Sequence, residues 1–153
     1  TMKAADQSFI SSTFWTERIG FVAANKTIEY MKKNKTYKIL IKNGKYIVKK
    51  WAETAKKNNI KIRISGIESI ASFSFEKNNL LYKTFLTQEM IKNGYLASNL
   101  IYLSTGHTKK VIDRYIFFLN KIFKKISIHQ KSKKKQKILK GPICHSTFKR
   151  LTD

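Results

Sequence analysis

The sequence predicts an α+β fold, a small and mostly antiparallel sheet covered on one face by helices. Two observations carry this. Apolar residues recur at three- and four-residue steps in long segments near both ends and in a shorter one between. Two short stretches between them change to alternation, Ile60, Ile62 and Ile64 against Lys61 and Arg63, then Phe73 and Phe75 on one face. Neighbouring pairs of strands separated by helices favour antiparallel pairing over a crossover sheet.

The first helix is predicted from about Glu17 to Lys33, with Ile19, Val22, Ala23, Thr27, Tyr30 and Met31 on its apolar face. Thr13 or Thr16 can cap it, and Glu17 sits where the helix dipole favours a negative charge. Asn34 and Lys35 end it, and Thr36 can cap the next helix, about Tyr37 to Lys57. Leu40, Ile41, Ile47, Val48, Trp51 and Ala55 form that helix's apolar face. Gly44 inside it either permits close packing or divides the segment.

Asn58 and Asn59 form an exit turn into the first strand, which Ser65-Gly66 breaks. Ile70 to Phe75 is the second strand, and Lys77 to Asn79 a polar turn. Leu80 to Lys92 is a third helix with Phe85, Leu86, Met90 and Ile91 inward, stopped by Asn93-Gly94. Tyr95-Leu96-Ala97 and Leu100 to Leu103 are short strands. Thr108 caps a last helix through Val111, Ile112, Tyr115, Ile116, Leu119, Ile122 and Phe123. The expected order is α-α-β-β-α-β-β-α. A Lys-Ser-Gln run over 129–140 follows, and then a tail from Gly141 regains apolar character and can dock back.

Composition bounds the function. The 153 residues suffice for one domain burying roughly 70% of its unfolded surface. No run of about 18 apolar residues exists, so no membrane span is expected. The single cysteine, Cys144, cannot form an internal disulfide, which points to a reducing cytoplasm. The net charge of +23 attracts polyanions. Yet only Arg18, Arg63, Arg114 and Arg150 among the 32 basic residues supply the planar fork suited to phosphates and base edges. Nucleic-acid binding by a stand-alone basic module is therefore the alternative reading, and the less favoured one.

No site chemistry of a familiar kind stands out. His107, His129, His145 and Cys144 have no metal-ligand spacing, so no metal is expected. The glutamates are scattered, and neither a Gly-rich nucleotide loop nor a Ser-His-Asp signature occurs. His107 is expected to orient the turn before the last helix. The exception is the stretch from Ser11 to Gly20, where hydroxyls meet a helix start. Read as chemistry alone, they cap the helix or offer an anion site.

Ser12-Thr13-Phe14-Trp15-Thr16-Glu17-Arg18-Ile19-Gly20 resembles the junction segment of class III pyridoxal-phosphate (PLP) aminotransferases, in the glutamate-1-semialdehyde aminomutase-like branch. Trp51 with the Ile62–Gly66 strand and Phe73-Ser74-Phe75 is similar to the small domain of that family. So is Tyr102-Leu103-Ser104-Thr105-Gly106-His107-Thr108 before Val111-Ile112-Asp113. The tail Gly141-Pro142, His145 and Phe148-Lys149-Arg150 is similar to the end of some members.

The resemblance implies a C-terminal small domain of a fold-type I aminotransferase, preceded by a long interdomain helix. Residues 1–16 would end the large cofactor domain, 17–35 form the helix, 36–128 the small domain, and 129–153 a Lys-rich linker and tail. It implies a homodimer in which Thr13 binds the phosphate of the neighbouring subunit's PLP, flanked by Ser12 and Phe14. It places the Schiff-base lysine upstream of Thr13, so no catalytic residue is expected within this chain, which would be inactive alone. The substrates implied are a small-molecule amino donor and a keto or aldehyde acceptor. True aminomutases usually carry Gly-Asn-Pro where this chain has Thr16-Glu17-Arg18. The reaction implied is thus aminomutation, or transamination of another substrate such as an amino or keto sugar.

Overall fold

A computed structural model describes residues 17–132 and 137–146. The chain divides into two units, Thr1–Tyr37 and Lys38–Asp153. The elements run α1 (Arg18–Asn34), α2 (Thr36–Lys57), β1 (Ile62–Ile67), β2 (Ile70–Phe75), α3 (Asn79–Lys92), β3 (Leu100–Tyr102) and α4 (Lys109–Lys131). The α+β class holds. The sheet has three antiparallel strands in the order β1-β2-β3.

In the first unit, α1 ends where Lys35 turns left-handed at φ 49°, its N–H bonding the carbonyls of Lys32 and Met31. Glu17 stands at the N-cap without a side-chain cap bond. Thr13 and Thr16 lie outside the described residues. Thr36 does not cap α2, because its hydroxyl is buried with no hydrogen-bond partner among the described residues.

The second unit is built on β2. Ala71, Phe73 and Phe75 alternate inward and are buried, as period-two patterning requires. Trp51 of α2 meets Phe73 edge-on at 4.9 Å, and Phe123 of α4 lies 5.9 Å from Phe73 and 5.7 Å from Phe75. Tyr82 of α3 lies 5.6 Å from Phe75. Three helices thus bury their apolar stripes against one sheet face. Burying each of these rings contributes roughly 1.5–3 kcal/mol. The opposite face leaves Arg63, Ser65, Ile67, Ile70, Leu100 and Tyr102 exposed.

Gly44 resolves in favour of close packing. The helix runs unbroken through it, and a Cβ there would fall 2.0 Å from the carbonyl oxygen of Glu68 in the β1–β2 turn. Backbone cannot retreat as a flexible side chain can. Gly44→Ala is expected to destabilise the chain by about 2 kcal/mol, read by urea unfolding. An unchanged midpoint would mean that the turn yields freely.

Several expectations are corrected. Ser65-Gly66 does not break β1, which continues to Ile67, because Gly66 adopts φ +92°. Its Cβ position lies 2.3 Å from the Ile70 carbonyl oxygen, so both the conformation and the space need glycine. Asn79 belongs to α3 rather than to the turn, and its side chain accepts from the Phe75 N–H at 3.0 Å. Ile91 is exposed, since Met90 takes the inward position at the end of α3. Ile41 is also exposed. Tyr95-Leu96-Ala97 is loop, so the order is α-α-β-β-α-β-α.

Candidate functional site

The expected cofactor residues Ser12, Thr13 and Phe14 lie outside the described residues. The helix that follows them is described. Ile19, Phe21, Val22, Ile28, Tyr30 and Met31 of α1 are all exposed, and no residue of the helix is buried within its own unit. Ile19, Val22 and Tyr30 share one side of the helix, and Phe21 and Ile28 lie on the opposite side, so apolar surface is exposed on more than one face.

In the second unit the best-formed concavity is a groove of about 330 Å³ beside the β3–α4 turn. Ile47 of α2 and Val111, Ile112 and Tyr115 of α4 form one wall. The loop 95–98 and β3 form the other, and His107 stands at the turn. Among the described residues no lysine lines it, so it is an apolar and aromatic island in a strongly basic chain.

The turn is held by its own polar groups. The Ser104 N–H donates to His107 Nδ1 at 3.0 Å, and the Ser104 hydroxyl lies at the same distance. A backbone donor on Nδ1 makes that nitrogen the acceptor, so the neutral ring carries its proton on Nε2. Asn43 of α2 donates to the His107 carbonyl at 2.8 Å. Thr108 caps α4 by accepting from the Val111 N–H at 3.4 Å. The orienting role expected of His107 and the capping role of Thr108 are both present. The Ser104–His107 contact is a turn lock rather than a nucleophile–base pair, since Nδ1 is already engaged by the backbone.

Two polar clusters brace the groove's scaffold. Tyr46 of α2 donates its phenol to Asp113 of α4, and Lys109 bonds the other Asp113 oxygen at 2.5 Å. Lys109 first, and then Tyr46, hold the Asp113 carboxyl below its ordinary range. Deeper in, Trp51 Nε1 donates to the Tyr115 hydroxyl at 3.1 Å. Burial pushes the Tyr115 phenol up, so this groove-lining tyrosine stays protonated. Neither pairing carries a local sequence signal, because the partners stand 67 and 64 residues apart.

This arrangement defines a class of fold, a three-stranded antiparallel sheet with helices on one face, preceded in the chain by a further helix. The same fold occurs in FumI of Sphingopyxis sp. MTA144, solved in its PLP internal aldimine form. That structure matches 86% of this chain with a TM-score of 0.72 at 16% identity. The match takes in 32% of the FumI chain, so this chain spans about a third of that protein's length. No family model matches the sequence, and a search of curated proteins finds no match.

Proposed function

We propose that this chain is the C-terminal part of a PLP-dependent class III aminotransferase, of the glutamate-1-semialdehyde aminomutase-like branch. The observation that carries the reading is the fold likeness over 86% of the chain to one third of a protein solved with PLP. The motif resemblance along the same elements supports the finer assignment. In this reading residues 1–16 end the cofactor domain, 17–35 link the domains, 36–128 form the small domain and 129–153 the linker and tail. The exposed apolar residues of α1 fit a linking helix that a larger body covers.

The Thr13 hydroxyl and the neighbouring N–H groups bind the phosphate of the partner subunit's PLP in a cytoplasmic homodimer, with Ser12 and Phe14 beside it. When bound, PLP supplies the electron sink for moving an amino group between a donor and a keto or aldehyde acceptor. The lysine that holds it belongs to the cofactor domain. The groove beside His107, with no nucleophile–base pair, serves shape rather than chemistry.

The 153-residue chain with PLP is expected to show no transamination and, when a separate sample is then reduced with borohydride, to carry only scattered lysine adducts. One stoichiometrically modified lysine together with turnover would refute the assignment. In a complete enzyme carrying this chain, Thr13→Ala is expected to weaken PLP affinity by about tenfold or more. Equilibrium dialysis reads this, and unchanged affinity would remove Thr13 from the phosphate site.

A further inference from the structure

Leu80, Thr84 and Gln88 follow one another at four-residue steps along α3 and form one ridge. Residues 138–144 lie along that ridge. The Gln88 side-chain amide uses both its ends. Nε2 donates to the Ile138 carbonyl at 3.3 Å, and Oε1 accepts from the Lys140 N–H at 2.8 Å. A carbonyl and an N–H two residues apart are what an extended chain offers to a strand partner. Leu139 between them turns into the core, where it is 8% exposed, with Ile138 packed beside it. One turn earlier on α3, Thr84 Oγ1 accepts from the Cys144 N–H at 3.0 Å, and Cys144 Sγ stands 3.8 Å from the Leu80 carbonyl oxygen.

All but one of these polar contacts go to the tail's backbone, and one leucine supplies the apolar anchor. This is peptide-recognition chemistry, with main-chain bonds for affinity and a single side chain for register, on a segment that bends at Lys140 and Gly141 between its two points of attachment. We propose that the α3 ridge is a peptide-docking site and that the chain's own residues 138–144 fill it as a detachable latch. The occupant is the chain's own segment, with Leu139 between the two groups that Gln88 reads and a bend at Lys140 and Gly141. The inference stands on the second unit alone and does not depend on PLP.

The test uses a labelled synthetic peptide of residues 137–146 and the full chain carrying Leu139→Asp, whose own latch has lost its anchor. Fluorescence anisotropy is expected to show saturable binding that unlabelled peptide competes away. Adding Gln88→Ala to that chain is expected to weaken binding by about tenfold. Absence of saturable binding, or equal binding of a peptide that itself carries Leu139→Asp, would overturn the proposal. Should the altered chain not fold, hydrogen exchange on the otherwise unaltered chain tests the same contact. Gln88→Ala is expected to speed exchange of the Lys140 amide by about tenfold while leaving α4 amides unchanged. An unaffected Lys140 amide would count against the latch.

Discussion

Trp51→Ala is expected to cost the fold about 3–5 kcal/mol, a large part of what holds a single domain together. Trp51 is 1% exposed and stands where α2, the sheet and α4 meet. Its ring packs edge-on against Phe73 at 4.9 Å, and its indole N–H donates to Tyr115 at 3.1 Å. Alanine removes both at once, leaving a cavity in the core and a buried phenol without its donor. Trp51→Phe removes part of each. It keeps an aromatic face for Phe73 but loses the donor and the five-membered part of the indole, so a smaller loss of about 2–3 kcal/mol is expected. Urea unfolding of the two variants checks the order. A loss under about 1 kcal/mol for the alanine variant would mean that the core collapses freely around the gap. The consequence reaches the groove, because Tyr115 lines it and Trp51 fixes the phenol.

Periodicity is legible in the sequence, and pairing is hidden. Phe73 and Phe75 can be placed on one buried face from alternation alone, and Trp51, Leu119 and Phe123 from helical spacing. Three residues cannot establish a period, which is why Tyr95-Leu96-Ala97 reads as a strand. Instead Leu96 is 98% exposed on the groove rim, and Asn99 bonds β2 in its place, accepting from the Phe73 N–H at 2.9 Å. Ser65-Gly66 reads as a breaker because glycine commonly is one, whereas here its positive φ keeps the hairpin in register. Gln88 and Thr84 look like ordinary polar helix positions. Their partners lie 50 to 60 residues along the chain, at a range that no local pattern reports. The most specific site expectation, Thr13 with Ser12 and Phe14, lies outside the described residues and rests on resemblance.

Replacing both Lys92 and Lys125 with methionine is expected to cost about 3 kcal/mol at pH 7, and the reason lies in one carboxylate. Glu89 of α3 has a side chain only 7% exposed, yet it is charged. Burial alone would raise its pKa. Hydrogen bonds from Lys125 at 2.6 Å, from Lys92 and from Gln88 outweigh burial and bring it from the ordinary 4.5 down to about 2. Such a shift corresponds to about 3 kcal/mol of stabilisation, and its sign fixes the pH window. The folded pKa lies below the unfolded one, so the contribution is complete above about pH 5. It is lost as pH falls through 4.5 toward 2. The two lysines are about half exposed and can turn to water when Glu89 is removed. Glu89 has no such escape when they are removed. Glu89→Gln, a neutral mimic of the protonated acid, should therefore cost no more than the double lysine change, up to about 3 kcal/mol. The double variant's deficit should shrink by pH 3, where its Glu89 takes up a proton. Urea unfolding at pH 7 and pH 3 reads both. A larger loss for Glu89→Gln, or a deficit independent of pH, would show that the buried carboxylate is not the group under constraint.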